Sequence, residues 1–345
     1  MKKLFLYGFA IATLMSCGSG ETKKEAATKA GEKTDQYAEL NAKARKMFAV
    51  LPKVAENPNN PLTEEKVALG KKLYFDNILS KDNKQSCNTC HNLDTYGVDN
   101  NPFSEGNDGG LGGRNSPTTL NAAFHIAQFW DGREPDVEAQ AGGPVLNPVE
   151  MAMPSEKMVV DRLSKVDEYK TMFAKAFPED KNAISYENMK KAIGAFERKL
   201  VTPSKFDKYI AGDDNALTDA EKKGLKTYIE VGCTTCHSGS LLGGNMYQKF
   251  GLFGDYWKYT KSEKIDNGKF DVTQNEADKY VFKTPSLRNI EKTYPYFHDG
   301  SVQDLGEATQ IMAKTELNKD LTEEEVKSIV TFLKTLTGEV PADLK

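Results

Sequence analysis

The sequence predicts a mainly α-helical protein made of two similar domains with long loops. A five-residue pattern, C-x-x-C-H, occurs twice in the 345 residues. A helical pattern of apolar residues precedes each copy, and a further helical pattern closes each half of the chain. This repeated order of helix, motif and helix indicates two copies of one helical unit.

In this motif two cysteines attach a c-type haem through thioether bonds, and the histidine binds the iron. The residues are Cys87, Cys90 and His91 in the first copy and Cys233, Cys236 and His237 in the second. The alternatives are a disulfide, a zinc site and a thioredoxin-like redox pair. A redox pair needs no following histidine, and a zinc site built from both motifs would join ligands far apart in sequence. The sequence therefore predicts two covalent haems, one in each cytochrome c-like domain.

The first half begins and ends with a helical pattern. Residues 62–65, Leu-Thr-Glu-Glu, open a predicted helix whose apolar face carries Val67, Gly70 and Tyr74. The closing helix stops before Pro203, and its apolar residues are Met189, Ile193, Phe196 and Leu200. Between these helices, segment 92–116 has six glycines and no periodicity, which predicts a mobile loop.

The second half repeats this arrangement. Thr218 and Glu221 form a T-x-x-E capping box at the start of a helix that leads into the second motif. Thr322 and Glu325 form another capping box before an apolar stripe of Val326, Ile329, Val330 and Leu333. We expect these stripes to be core faces that pack against haem.

The beginning of the chain predicts export from the cytoplasm. Two lysines precede an apolar run that is too short to span a bilayer. Residues 14–18 then resemble a bacterial lipobox, in which Cys17 would carry the lipid; a plain secretory signal with an incidental cysteine is the alternative. We expect residues 1–17 to be a lipoprotein-type signal peptide and residues 18–40 to be a flexible tether.

Length and charge limit the remaining possibilities. The rest of the chain, roughly 300 residues, predicts two domains. Pro, Gly, Asp and Asn residues cluster at 203–216, so we expect the domains to be 41–203 and 204–345. The net charge of −4 and the lack of a basic block argue against nucleic acid as a partner. Haem attachment and the export signal both predict a periplasmic protein, anchored to a membrane if Cys17 is lipidated.

Longer strings of residues extend the pattern beyond the motifs. They are GRNSPT at 113–118, QFWDGR at 128–133, GP at 143–144, VEM at 149–151 and PYFH at 295–298. With the order of the domains, these strings resemble the bacterial dihaem cytochrome c peroxidase family from about Pro61 to Gly338. The resemblance implies an enzyme that reduces hydrogen peroxide to water. Its electrons would come from a small periplasmic cytochrome c or blue-copper protein, and the family also forms homodimers.

The resemblance assigns different roles to the two haems. The haem on His91 would be the peroxidatic one, with a distal face that is open or able to open. The haem on His237 would accept electrons and hold Met312 as its sixth ligand. A Met/His ligand pair raises the reduction potential, which suits an electron-accepting centre. Without the resemblance, Met312 would be interpreted as a core methionine.

Three residues match the family's peroxide pocket. Glu150 matches the distal carboxylate: peroxide cleavage needs a group that moves a proton between the two oxygens, and a buried carboxyl with a raised pKa can do so. An isolated glutamate is otherwise a surface residue. Gln140 matches a hydrogen-bonding aid and Pro144 a shape element, with a solvated amide and a turn proline as the alternatives.

Two further features are implied by the resemblance. Trp130 matches a tryptophan between the haems, where it would help electrons to cross or pack the domain interface. Asn115 and the backbone carbonyls of Thr293 and Pro295 match a calcium site between the domains. Oxygen ligands suit this hard cation.

The chain departs from the family at one position of the glycine-rich loop. Many relatives carry a histidine there that binds the peroxidatic iron of the oxidised enzyme, whereas this chain has Asn107. The sequence therefore predicts a five-coordinate or water-bound haem even when both irons are oxidised. His125 could replace the missing ligand, although its apolar neighbours favour an ordinary partly buried histidine. His298 resembles a family histidine that lies near the haems without binding iron.

A peroxidase is the function that these observations favour. A dihaem electron carrier is one alternative, but a carrier has no use for an open distal face and a distal carboxylate. A relative of the methylamine-utilisation dihaem enzymes, which oxidise a protein side chain, is another. Those enzymes have a tyrosine in place of the ligating methionine, so Met312 favours the peroxidase, while Asn107 keeps this alternative open.

Overall fold

The computed structural model describes residues 36–345. Residues 37–345 form one compact unit. The predicted signal peptide 1–17, with Cys17, and residues 18–35 of the predicted tether 18–40 lie outside the described residues. Within 36–345, no helix is both long enough and apolar enough to cross a membrane.

The described chain is mainly helical, which confirms the predicted fold class. The helices, numbered α1 to α13 in chain order, are Ala38–Met47, Glu64–Phe75, Cys87–Cys90, Val137–Leu146, Glu156–Leu163, Asp167–Ala176, Tyr186–Glu197, Lys205–Ile210, Asp219–Val231, Tyr256–Thr260, Phe270–Thr273, Leu305–Leu317 and Glu323–Leu333. Two short strands, β1 (Tyr247–Lys249) and β2 (Val281–Lys283), pair antiparallel, with Tyr247 opposite Lys283. Long irregular segments connect these elements, as the sequence predicts.

The first helical core is built around the crossing of α2 and α7. Helix α2 is capped by Thr63, whose side chain accepts a hydrogen bond from the Lys66 backbone N–H at 3.2 Å. Gly70 lies at the crossing, where a Cβ atom would be 1.9 Å from the carbonyl oxygen of Ala192. The two backbones can approach this closely because Gly70 has no side chain. Helices α4, α5 and α6 pack around this pair.

The second helical core repeats this design with α9 and α13. Both helices begin with the predicted capping boxes, in which Thr218 pairs with Glu221 and Thr322 with Glu325. A Cβ atom on Gly224 would be 2.2 Å from the carbonyl oxygen of Ser328. A glycine therefore marks the helix crossing in both cores, and the internal repeat that the sequence predicts extends to the packing of the backbone.

Each end of the described chain packs on the opposite half. Helix α1 joins the second core through Ala44, and its Asn41 accepts a hydrogen bond from the Tyr209 hydroxyl at 2.5 Å. Residues 38–40 are therefore helical, although the sequence predicts a tether up to residue 40. At the other end, Leu344 is buried in an apolar cluster of the first half. Apolar side chains at both ends pack into cores formed by residues that are far away in sequence.

Candidate active site

The two C-x-x-C-H motifs lie in equivalent surroundings. The Tyr74 hydroxyl donates a hydrogen bond to the backbone carbonyl of His91 at 2.6 Å. In the second half, the Tyr228 hydroxyl donates to the carbonyl of His237 at 2.9 Å. Each tyrosine stands four positions after the glycine of its helix crossing, so the core helix fixes the end of the motif that follows it.

Both motif histidines have one ring nitrogen committed to the backbone. The Nδ1–H group of His91 donates to the carbonyl of Gly97 at 3.3 Å, and that of His237 donates to the carbonyl of Leu242 at 2.9 Å. Burial lowers the pKa of both imidazoles, so they are neutral at pH 7. With the proton on Nδ1, Nε2 is a free lone-pair donor, which is the state that iron ligation requires.

The motif cysteines are four unpaired thiols, so neither motif forms a disulfide. Burial raises the pKa of Cys87 and Cys233 to about 12 and that of Cys90 to about 11. A redox pair depends on a lowered thiol pKa, so these values argue against that alternative. In the described part of the chain, no group of three or more His, Cys, Asp or Glu side chains is arranged to hold a metal ion. The arrangement is that of haem attachment.

The second motif faces a cavity of about 250 Å³. Its lining includes Cys233, Cys236 and His237, together with Met312 from α12. Most of the other walls are apolar and include Leu305, Ala308, Leu317, Ile329 and Leu333. Two thiols, a free imidazole nitrogen, a thioether sulfur and apolar walls are the groups that a covalent, six-coordinate haem needs, so the residues present fit this cofactor.

Glu150 lies near the first motif in a half-buried turn after α4. Its carboxylate accepts a hydrogen bond from the Asn147 amide at 2.7 Å. Burial raises the pKa of Glu150, while the positive charge of Arg133 and the Asn147 hydrogen bond oppose this change. Burial is the main cause of the raised pKa of Cys90, and the Glu150 charge adds a smaller increase, so the carboxylate lies within electrostatic range of the first motif. A carboxyl with a raised pKa suits the reversible transfer of a proton.

Helix α4 brings the other predicted pocket residues to the same place. Gln140 and Pro144 are four positions apart on this helix and therefore lie on one face. The carbonyl of Pro144 accepts a hydrogen bond from the Met151 N–H at 3.1 Å, which folds the turn that carries Glu150 back onto α4. One helix and the turn after it thus position all three side chains.

The tip of the glycine-rich segment 92–116 is fastened to the Glu150 turn. The Asn107 N–H donates to the carbonyl of Glu150 at 2.7 Å. The Asn107 side chain is 5% exposed, and its amide donates to Asp82 at 3.1 Å and to Asp108 at 2.8 Å. The segment that the sequence predicts to be mobile is therefore held by hydrogen bonds at its tip. The side-chain amide of Asn107 is hydrogen-bonded to two carboxylates.

Trp130 joins the glycine-rich segment to the second cavity. Its indole N–H donates to the carbonyl of Asn115 at 2.9 Å, and its ring lies edge-on to His298 with the centroids 6.3 Å apart. Trp130 and His298 both line the cavity that contains His237. This placement suits both roles that the sequence leaves open for Trp130, electron transfer and packing.

The predicted calcium ligands also line this cavity. Asn115, Thr293 and Pro295 all line it, although Asn115 is far from the other two in sequence. The Asn115 amide nitrogen donates to the carbonyl of Asn101 at 2.9 Å, which leaves its side-chain oxygen as an acceptor. The structure thus brings the three residues to the same cavity.

Two basic residues of the site were not assigned a role by sequence reasoning. The Arg133 guanidinium lies 3.4 Å from the centroid of the Phe129 ring and 3.0 Å from Asp131, next to Glu150. Lys283 is buried in the second cavity, 2.9 Å from His125. Arg133 belongs to the string 128–133, so the sequence contained a signal for its role. No sequence pattern indicated a role for Lys283, because a lysine in a short strand is ordinarily exposed.

Each of the two haem-attachment motifs has a neutral histidine whose backbone carbonyl is hydrogen-bonded to a tyrosine of a core helix. The two motifs define a c-type cytochrome with two haem sites. Residues 64–215 match the family model described as di-haem cytochrome c peroxidase. The chain is 45% identical over 307 residues to the cytochrome c551 peroxidase of Pseudomonas aeruginosa, covering 88% of this chain and 87% of that protein. The chain belongs to the di-haem cytochrome c peroxidase family.

Other relatives agree with this assignment. The cytochrome c551 peroxidase of Nitrosomonas europaea is 45% identical over 282 residues, covering 81% of this chain and 82% of that protein. A solved structure, a MauG-like protein associated with microbial copper homeostasis, aligns with a TM-score of 0.74 and 30% identity. That alignment covers 84% of this chain and 94% of the other. The likeness to the peroxidases is thus greater than the likeness to the MauG-like protein.

Proposed function

We propose that this chain reduces hydrogen peroxide to water at the first haem site, with electrons from a small periplasmic cytochrome c or blue-copper protein. The observation that carries the proposal is the half-buried Glu150 carboxyl, whose pKa is raised and whose charge acts on Cys90. An electron carrier needs no such group beside its haem. The reaction consumes one peroxide, two electrons and two protons and releases two water molecules.

Cys87, Cys90 and His91 would hold the peroxidatic haem, and His237 and Met312 the electron-accepting one. When bound, the first haem supplies the iron at which peroxide is reduced. Glu150 takes the proton from one peroxide oxygen and delivers it to the other, while the bond between them breaks. Gln140 orients the peroxide from the neighbouring helix, and Pro144 shapes the pocket. Trp130 lies on the path between the two sites.

We further propose that the first haem has no protein ligand on its distal side in the fully oxidised state. Relatives supply this ligand from the glycine-rich loop, where this chain has Asn107. The Asn107 side chain is buried and hydrogen-bonded to Asp82 and Asp108. Peroxide would therefore react with the oxidised protein without prior reduction of the second haem.

Peroxide turnover by the untreated oxidised protein, with a reduced carrier as electron source, tests the proposal. The Glu150→Gln variant keeps the size of the side chain and loses the proton-accepting carboxylate. We expect it to lower kcat/KM for peroxide by about a hundredfold or more. The matched control is Glu179→Gln, at an exposed glutamate, which should leave the rate unchanged. An unaltered rate in Glu150→Gln rejects the proton role, and no turnover by the wild type rejects the peroxidase.

The methylamine-utilisation type of activity is the second candidate, and Asn107 is the residue that favours it. Oxidation of a protein side chain by this chain would proceed with peroxide and without an external carrier. Met312 distinguishes the two candidates. The methionine–iron charge-transfer band in the oxidised spectrum supports electron entry at the second haem, and its absence favours the second candidate.

We also propose calcium binding and export for this chain. Asn115, Thr293 and Pro295 would supply oxygen ligands to one calcium ion. Removal of calcium by a chelator should then reduce turnover, and calcium but not magnesium should restore it.

Cys17 would carry a lipid on the periplasmic side of a membrane. Labelling with a radioactive fatty acid tests this, and Cys17→Ser should abolish the labelling. A dimer would appear in sedimentation as twice the monomer mass.

A further inference from the structure

A lysine and a histidine form a buried pair that neither the haem motifs nor the peroxide pocket uses. The Nζ atom of Lys283 lies 2.9 Å from Nδ1 of His125. Lys283 is 6% exposed, and Nε2 of His125 is buried with no hydrogen-bond partner. Lys283 ends strand β2 in the second half, whereas His125 comes from the first half.

The chemistry of the pair leaves two hydrogen-bond donors without an acceptor. Lys283 is a donor only, so Nδ1 of His125 must accept its hydrogen bond. A neutral imidazole that accepts at Nδ1 carries its proton on Nε2, and this N–H is the buried group without a partner. Burial lowers the pKa of Lys283 to about 8, so the ammonium still carries its charge at pH 7. In the described chain, no carboxylate lies within ion-pair distance of Lys283. The charge of nearby Asp131 raises the Lys283 pKa, but Asp131 itself is paired with Arg114 and Arg133.

A buried cation and a buried N–H without an acceptor are both unfavourable, so they call for an anion. Both side chains line the 250 Å³ cavity that also contains Cys236, His237 and Met312. Whatever fills this apolar cavity must therefore present an acidic group to this wall. A haem has two carboxylate side chains at one edge of its macrocycle, which fits both the apolar space and the two donors.

We propose that Lys283 and His125 bind one propionate carboxylate of the haem attached at Cys233 and Cys236. The proposal rests on the haem site of the proposed function. Because the backbone N–H of Lys283 donates to the carbonyl of Trp130 at 2.8 Å, the same residue ties this propionate to Trp130. The haem edge is thereby fixed where the two halves meet.

This pair also sets the reduction potential of the second haem. An electron added to the iron is stabilised by the Lys283 cation, which neutralises the nearby carboxylate. Without that charge the oxidised form is favoured. Lys283 is thus a positioning and tuning residue that acts through the haem carboxylate, without contact with peroxide.

The test is the reduction potential of the second haem, followed through its absorption during a spectroelectrochemical titration of the holoprotein. Lys283→Met keeps the length of the side chain and removes the charge. We expect the ratio of oxidised to reduced haem at a fixed potential to rise about tenfold, a shift of about 59 mV to lower potential. Lys283→Arg should restore most of the wild-type value. Lys258→Met, which removes an exposed lysine paired with Asp255, should change nothing.

An unchanged potential in Lys283→Met, with both haems attached, overturns the proposal, because a purely structural role would not move the potential. If this variant does not accumulate, Lys283→Gln takes its place with the same expectation. Inorganic phosphate is the competing anion. A wild-type potential that depends on phosphate concentration would show that the pair holds a free anion, which also overturns the proposal. Loss of the methionine–iron band in the wild type would instead reject Met312 ligation, so the two failures are distinguishable.

Discussion

Opposing influences set the pKa of Glu150, the residue proposed to transfer the proton. Burial raises the pKa of its carboxyl, whereas the Arg133 charge and the Asn147 amide lower it. Arg133 is held in place by the Phe129 ring and by Asp131. This fixed guanidinium tunes the acid without a direct role in the reaction.

The first prediction concerns Arg133. Replacement by leucine removes the charge that lowers the Glu150 pKa, so this pKa should rise. Because Glu150 must be ionised to accept a proton, the acid limb of the pH profile of kcat/KM should move to higher pH, by up to about 1 unit. Activity at high pH should be retained. Arg133→Lys, which keeps the charge, should keep the wild-type profile, and an unmoved acid limb in Arg133→Leu would contradict this account.

At the scale of elements, a glycine lies at each of the two main helix crossings, where its lack of a side chain lets the two backbones approach closely. Gly70 meets the Ala192 carbonyl, and Gly224 meets the Ser328 carbonyl. The same close approach lets Tyr74 and Tyr228 reach the backbone carbonyls of the motif histidines. Helix packing and haem positioning therefore depend on the same contacts.

The second prediction follows from these distances. An added Cβ at 1.9 Å or 2.2 Å from a carbonyl oxygen must push the helices apart. Gly70→Ala and Gly224→Ala should each lower the free energy of unfolding by about 1–3 kcal/mol or more, as overpacking does. Gly113→Ala, where nothing lies within 4 Å of the added atom, is the control and should be near neutral. Denaturant unfolding measures all three, and equal stabilities would show that the crossings are not tight.

The third prediction concerns the glycine-rich segment. Asn107→His places an imidazole where relatives carry their loop ligand and removes the hydrogen bonds to Asp82 and Asp108. Electron paramagnetic resonance of the oxidised wild type should show one high-spin and one low-spin haem, and the variant should show a larger low-spin fraction. Its reaction with peroxide before reduction should be slower. Two low-spin haems in the wild type would refute the open distal face.

At the scale of the whole molecule, the two halves are bound together by more than their connecting segment. Helix α1 completes the second core, and Leu344 completes an apolar cluster with Tyr74 and Phe196 of the first half. Arg114 bonds Asp266 across the halves at 2.7 and 2.9 Å. Since Tyr74 bonds the first motif, the C-terminal end of the described chain supports the proposed peroxide site.

The fourth prediction tests this support. Leu344→Ala removes a side chain that is 7% exposed and should lower the free energy of unfolding by about 2–3 kcal/mol. Because the cavity opens beside Tyr74, the first haem should be perturbed before the second, which resonance spectra of the two irons can separate. Ile265→Ala, at a residue 46% exposed, should have little effect. If both variants lose equal stability, Leu344 does not have this role.

The sequence by itself determined the local features of this protein. Capping boxes, helical spacing and the C-x-x-C-H motifs are encoded within a few residues, and the helices and haem-attachment residues follow from them. The longer strings identified the family, and the resemblance supplied the candidate site residues Glu150, Gln140 and Trp130. Asn107 could be recognised as a departure because it lies at a countable distance from a motif.

Only the tertiary structure decided which distant residues share an environment. It placed Arg133 beside Glu150, fastened Asn107 to Asp82, and buried Lys283 against His125 from the other half. It also packed each end of the described chain against the core of the other half. Burial and the approach of charges depend on the packing of segments far apart in sequence, so no local pattern can encode them.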